Sequence, residues 1–257
     1  LEQEIEGERH EHSFMHDLLT ESGDALVEAV IRSLKKLGLT DVRDVDAEAD
    51  GAKPLREDLH IWDRSPILLA EVKGLGALPR EADSLQIAKY IAPRMREWDR
   101  TDIRGLAIVN HQRKLPGSER EHEHVFQEDV IINAESQEIG LLTTWDLFRL
   151  VRGSIRNGWS SDQVIELFYH AGRIEICPTH YKYVGLVDGY WEHAGALSVL
   201  IEGEGIRVGD RVAYRLPVEF VEEDVSSLQL DDAQVPVAAF GSRVGLKTSL
   251  TKRQARN

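Results

Sequence analysis

Apolar positions follow helical spacing in some stretches and strand-like runs in others, and the balance shifts near residue 180. Between Gly23 and Gly38, Leu26, Val27, Val30, Ile31, Leu34 and Leu37 recur at helical spacing, and Gly38 supplies a stop, so a helix is predicted there. A polar stretch and the segment EDLHIW (57–62) come next, and then Asp63-Arg64-Ser65-Pro66, which has turn chemistry. ILLAEVKG (67–74) begins as a continuous apolar run, the mark of a buried strand. A second helix is predicted from about Glu81 to Ala92, where Pro93 interrupts or ends it. GLAIVN (105–110), DVIIN (129–133) and GLLTT (140–144) read as further strands, and WDLFRLV (145–151) as a short helix. SSDQVIELFYHAG (160–172) opens with Ser160 and Gln163 at capping-box spacing, which predicts another helix. From about Tyr181 helical periodicity disappears. YVGLVDGYW, ALSVLIEGEGIRVGDRVAYRL and VSSLQLDDAQVPVAAFGSRVGLKT alternate strand-like runs with Gly and Asp turns, Gly209-Asp210 being the expected hairpin turn.

The pattern divides the chain into four parts, with the main break near Cys177-Pro178. Residues 1–19 form an acidic helical leader, 20–177 an α/β domain, 178–250 a smaller all-β domain and 251–257 a basic tail. LEQEIEGERHEHSFMHDLL reads like the end of a helix already under way, so the expected chain is a fragment or one processed to start here. The tail, with Lys252, Arg253 and Arg256 and no acid, is expected to fray.

Composition narrows the function classes. At 257 residues, 42% hydrophobic and 30% charged, the chain has the balance of a soluble globular protein with room for a proper core. The single cysteine, Cys177, excludes an internal disulfide, and a reducing cytoplasm is the simplest expected setting. No apolar stretch approaches the roughly 18 residues that span a bilayer, so no membrane is expected as partner. A net charge of −14 argues against coating nucleic acid by bulk electrostatics. A phosphate-handling site on such a chain would need a divalent cation to offset repulsion. No GxxxxGK[ST] loop, GxSxG elbow or CxxC pair occurs, so an ATPase, a serine hydrolase and a zinc protein are not expected.

One stretch demands a chemical explanation. Glu71 and Lys73 end the most apolar strand candidate, and burying either is costly unless it pairs or holds a metal. Two apart on a strand, they project from one face. Folding 58–73 about the Asp63–Pro66 turn sets Trp62 against Ile67, and the same register sets Asp58 against Glu71. Cross-strand neighbours have Cβ atoms about 5 Å apart, so the two carboxylates would repel without a cation between them. Asp58, Glu71 and the Val72 carbonyl would form a hard oxygen site suited to Mg²⁺, with Lys73 orienting or deprotonating a water.

Asp58 followed after a hairpin by Glu71-Val72-Lys73 resembles the PD-(D/E)XK signature of restriction-endonuclease-like nucleases. Of the lysines at 35, 36, 53, 73, 89, 114, 182, 247 and 252, only Lys73 has an acid two positions earlier. Upstream, Glu28 lies in a helix like the family's first, which often supplies an acid to the metal site. Downstream, Gln86 and Tyr90 spell QxxxY, as in the RecB-like branch, and LLTTWDLFRL resembles the strand and helix that follow the core. The match covers roughly 20–155, and it departs at Glu57, where the signature has proline. The resemblance implies a mixed sheet flanked by helices. It implies Mg²⁺ or Mn²⁺ held by Asp58, Glu71 and Val72, with Glu28 completing the shell. Lys73 would act on the water, and Gln86 and Tyr90 would position the metal site or the nucleic-acid backbone. The all-β module resembles the barrel-shaped second domain of translation elongation factors and is read as a docking or substrate-guiding module or a structural one.

The expected function is therefore Mg²⁺-dependent hydrolysis of DNA, in repair or in defence against foreign DNA. RNA is the alternative substrate, as for an RNA-cleaving toxin, and a non-catalytic scaffold is the alternative class. A homo-oligomer is expected, with a protein partner docking through the barrel or the missing N-terminal region. Three further groups of residues each admit two readings. His122 and His124, among Glu119, Glu121 and Glu123, read as a metal site or a solvated acidic loop, and the lack of a matching ligand cluster favours the loop. Arg94, Arg96, Arg100 and Arg104 read equally as a phosphate track or, with Glu97, Asp99 and Asp102 interleaved, as a mixed surface. Arg113 and Lys114 pose the same choice.

Overall fold

The computed structural model describes residues 12–47, 56–231 and 233–255. Most of the acidic leader, the stretch around Lys53 and the chain end at Arg256 lie outside the described residues. The protein is mixed α/β, with several sheets and helices, and divides into two compact units on either side of Thr179–His180.

In the first unit, residues 12–20 are helical (α1). Helix α2 (Asp24–Lys36) follows, burying Leu26, Ala29, Val30, Ile31 and Leu34 along one stripe, with Asp24 in its first turn and Lys35 and Lys36 in its last. It ends at Gly38, whose φ of 103° suits glycine, and a Cβ there would lie 1.9 Å from Ser161 Oγ. Strands β1 (Val42–Asp44), β2 (Leu59–Ile61) and β3 (Ile67–Gly74) then run as an antiparallel meander. Helices α3 (Glu81–Ser84) and α4 (Ala88–Trp98) lead to β4 (Ile103–Asn110), and α5 (Glu128–Ser136) to β5 (Ile139–Thr143). Helices α6 (Thr144–Asn157) and α7 (Ser161–Val164) precede the two-residue β6 (Gly172–Arg173). The six strands lie in chain order, with β3, β4, β5 and β6 mutually parallel. Gly74 pairs with Asn110 and Val109 with Thr143, so three parallel strands finish at one margin of the sheet. Their interior residues, Leu68, Leu69, Ala70, Leu106, Ile108, Leu141 and Leu142 among them, are buried, each large side chain stabilising by roughly 1.5–3 kcal/mol.

Several predicted elements are corrected. DVIIN is not a strand but the middle of α5: Val130 and Ala134, four apart, are buried while Ile132 is exposed, so helical spacing outweighed β-branched propensity. Pro93 does not end its helix. The break falls earlier, at Leu85–Ile87, and Pro93 lies inside α4 at the loss of one backbone bond. WDLFRLV is part of a helix twice as long, running to a left-handed Gly158, because Thr143 caps it by accepting from the Asp146 N–H at 3.1 Å. The segment 160–172 starts with its capping box but gives way to a 3₁₀ turn over Ile165–Tyr169 and then to β6.

The second unit is all-β but for a short helix near its end. Strands β7 (Gly185–Trp191), β8 (Ala196–Ile201), β12 (Leu228–Leu230), β13 (Ala233–Val235) and β15 (Arg243–Lys247) form one antiparallel sheet in the order β13-β12-β15-β8-β7. Strand β9 (Ile206–Arg207) pairs with β14 (Val237–Ala238), and β10 (Arg211–Arg215) with β11 (Phe220–Asp224). Leu197, Val199 and Ile201 alternate inward on β8 and meet Val221, Leu228, Val244 and Leu246 in a core of the unit's own. Two expectations change. Among the described residues the sheets do not close into a barrel. Gly209-Asp210 makes a turn, with Asp210 Oδ2 accepting from the Arg207 N–H at 2.8 Å, yet the strands it joins pair elsewhere and form no hairpin. The start of the basic tail is a helical turn, α8 (Lys252–Ala255).

Candidate functional site

The site is built where the β2–β3 hairpin meets the turn into α4. Register pairs Leu59 with Ala70, His60 with Leu69 and Ile61 with Leu68, the alignment set by the Asp63–Pro66 turn. At Asp58 the ladder departs from it. The Asp58 N–H donates to the Ala70 carbonyl at 3.1 Å, so Asp58 and Leu59 both answer to Ala70, as in a bulge. The displaced position lets Asp58 Oδ2 accept from the Val72 N–H at 2.6 Å, so a carboxylate takes the place of a backbone acceptor.

Glu71 is 7% exposed, and its two oxygens are treated differently. Oε1 accepts from Gln86 Nε2 at 2.6 Å, while Oε2 is buried with no partner among the described residues. Gln86 Oε1 in turn accepts from Lys73 Nζ, which lies 4.0 Å from Asp83 Oδ1. Gln86 sits in the break before α4 rather than on a regular helical face. Backbone bonds from Lys89 N–H to the Gln86 carbonyl and from Tyr90 N–H to the Ile87 carbonyl wind it tightly and bring the half-buried Tyr90 alongside. Six of the predicted site residues therefore meet here: Asp58, Glu71, Val72, Lys73, Gln86 and Tyr90.

The electrostatics mark the carboxylates as strained. Burial pushes the Glu71 carboxyl up to about 7, and the Asp58 charge adds to the effect while Lys73 opposes it. Burial likewise raises Asp58 to about 6, against the Val72 hydrogen bond, and the Asp46 and Asp44 charges raise it further. Burial and the Glu71 charge raise the Tyr90 hydroxyl.

Sequence reasoning missed Asp44 and Asp46. They are two apart, at and just beyond the end of β1, and that spacing in VRDVD was the available signal. It also missed the role of Glu57, where the signature has proline. Glu57 is fully buried, its Oε1 receiving Arg94 Nε at 2.5 Å and facing His60 Nε2 at 2.7 Å, and its charge also acts on Glu71.

Glu28 is exposed on α2 and no hydrogen bond joins it to Asp58 or Glu71. Among the described residues no three His, Cys, Asp or Glu side chains are grouped to hold a metal ion. The two-carboxylate arrangement still fits Mg²⁺ or Mn²⁺. Mg²⁺ commonly takes one or two carboxylates and completes its shell with water and phosphate. A buried carboxylate oxygen without a partner, beside a second raised carboxyl, is a donor set that a hard cation would satisfy.

The other candidates do not form sites. His122 Nε2 donates to the Gly117 carbonyl at 2.8 Å and the ring stacks on Trp145, while His124 is exposed. The arginine track is not one: Arg94 is buried on Glu57, Arg100 pairs with Asp102 and Arg104 with Glu138.

No helix among the described residues is long and apolar enough to cross a membrane. No protein-family model matches the chain, and no curated protein matches it. Among solved structures, the chain is similar to the C-terminal domain of a putative U32 peptidase from Geobacillus thermoleovorans, at 22% identity over 27% of this chain and 88% of that one, with a TM-score of 0.25. It is also similar to the translation elongation factor SelB from Methanococcus maripaludis in its apo form, at 16% identity over 69% of this chain and 37% of that one, with a TM-score of 0.22. A bacterial selenocysteine-specific elongation factor EF-Sec gives 16% identity over 84% and 39%, with a TM-score of 0.22.

Proposed function

We propose that the first unit is a restriction-endonuclease-like core that hydrolyses phosphodiester bonds of DNA with Mg²⁺ or Mn²⁺. The observation that carries this reading is the unpartnered, buried Glu71 Oε2 beside Asp58, with Lys73 tied into the same cluster through Gln86. The antiparallel β2–β3 hairpin feeding a parallel β3–β4–β5 run supports the fold assignment. The all-β unit is read as a docking module for DNA or a protein.

Asp58, Glu71 and the Val72 carbonyl would hold the ion; when bound, it would polarise the phosphodiester and acidify the attacking water. The chain's own residues do the positioning. Val72 N–H fixes the Asp58 carboxylate, and the Gln86 amide fixes that of Glu71, so neither must be reoriented on binding. Lys73 presents its ammonium from the same face of β3 as Glu71, where it offsets charge on the phosphate and orients the water. Tyr90 lines the same cluster and can donate its hydroxyl proton to a phosphate oxygen.

Cleavage of plasmid and single-stranded DNA, with RNA in parallel, tests the proposal. The wild type is expected to cut DNA with Mg²⁺ and not in chelator, and Lys73→Ala to lose at least about a hundredfold in rate while keeping the fold. No cleavage of any nucleic acid by the wild type would refute it, and cleavage of RNA alone would move the substrate class.

A further inference from the structure

The loops that leave the shared margin of β3 and β4 are tied together. Leu75 N–H donates to the Asn110 carbonyl at 2.8 Å, Arg113 N–H to the Leu75 carbonyl at 3.1 Å, and Gln112 N–H to the Ala77 carbonyl at 3.2 Å. These bonds hold Arg113 one hydrogen bond and two residues away from Lys73. Arg113 is half-buried, and its Nε is buried without an acceptor among the described residues. Elsewhere in the unit, Arg94, Arg100 and Arg104 answer Glu57, Asp102 and Glu138. Arg113 has no such carboxylate among the described residues. Lys114 beside it is exposed, and Lys89 is exposed on α4 with its charge acting on Glu71. In a chain of net charge −14, cations without a carboxylate partner in the loop tied to the end of β3 are out of keeping with the rest of the surface.

We propose that the joined loops form a phosphate seat, with Arg113 as its fixed arm and Lys114 and Lys89 on its rim, which grips the DNA backbone beside the phosphate to be cut. This rests on the nuclease reading above. A guanidinium suits the task because its planar fork meets two phosphate oxygens at once, and a backbone-anchored loop spares it ordering on binding. Such a contact positions the strand without reading its sequence.

The test is DNA binding with Ca²⁺ in place of Mg²⁺, followed by fluorescence anisotropy of a labelled duplex over a series of salt concentrations. Arg113→Ala is expected to weaken binding about tenfold at low salt, and to reduce the slope of log affinity against log salt by about one. Arg113→Lys is expected to keep the slope and lose part of the affinity. Lys114→Ala, an exposed change that leaves packing alone, is expected to lower the slope in the same direction. Mn²⁺ affinity is expected to be unchanged in all three. Wild-type affinity and slope in both alanine variants would overturn the seat while sparing the nuclease reading, and so would a matching loss of Mn²⁺ binding in Arg113→Ala. A wild type that binds no DNA would sink both.

Discussion

The Gln86 side-chain amide donates to Glu71 Oε1 at 2.6 Å, while its carbonyl oxygen takes the Lys73 ammonium. One neutral side chain thus separates two opposite charges that would otherwise pair directly. A direct Glu71–Lys73 bond would close the site on itself; the bridge leaves Glu71 Oε2 free to accept a cation. Gln86→Ala is expected to weaken Mn²⁺ binding by roughly 10- to 100-fold, measured by titration calorimetry, with the far-ultraviolet circular dichroism unchanged. Wild-type affinity would show that the bridge is incidental.

Glu71 and Asp58 should impose a pH dependence on the metal-free protein. Both carboxyls are raised when folded, to about 7 and about 6, from ordinary values of 4.5 and 3.8. A raised folded value means the native state binds protons more tightly than the unfolded one. Their contribution is therefore complete in acid and is lost as pH rises from about 4 to about 7. Glu71→Gln should flatten that loss and stabilise the metal-free protein near neutrality by roughly 1–3 kcal/mol, while abolishing cleavage. Chemical denaturation at several pH values reads it, and a destabilised variant would contradict the electrostatic account.

His111 should act in the opposite direction. It is fully buried in the loop after β4, with Nε2 on the Glu121 carbonyl at 2.7 Å and Arg120, His122 and Asp146 around it. Burial, reinforced by the Arg120 charge, holds its imidazole down at about 4. A depressed folded value gives stability that is present above the unfolded value of 6.5 and lost as pH falls toward 4. His111→Gln should remove that acid sensitivity, seen as a smaller fall in Tm between about pH 7 and pH 5.

Gly153 offers a test in which packing opposes propensity. It lies inside α6, where replacing glycine with alanine ordinarily stabilises by about 1 kcal/mol. Here a Cβ would sit 2.3 Å from the Trp159 ring, which is itself buried. Gly153→Ala should instead destabilise by about 1–2 kcal/mol, as overpacking does, and a higher Tm would show that Trp159 moves aside freely.

Local chemistry of the site was legible because turn and strand signals agreed. Asp63–Pro66 set the hairpin register, ILLAEVKG matched β3 residue for residue, and the acid–lysine pair at its end lay on one face. The bulge at Asp58 was not legible, since it depends on which backbone acceptor the strand finds. Nor was the partnership of Glu57 with Arg94, 37 residues apart, which only tertiary packing creates. DVIIN misled for a related reason. A run of three apolar residues fits both periods, and burial of Val130 with Ala134 decided the outcome.

The common margin at which β3, β4 and β5 finish has a consequence for how such a protein can diversify. The exposed stretches that follow Gly74 and Asn110, at 76–78 and 114–116, can lengthen, shorten or exchange side chains without entering the interior. A lineage could therefore retune what it acts upon by editing a few connecting stretches, leaving the chemistry on β3 and the strand interior behind it inherited intact.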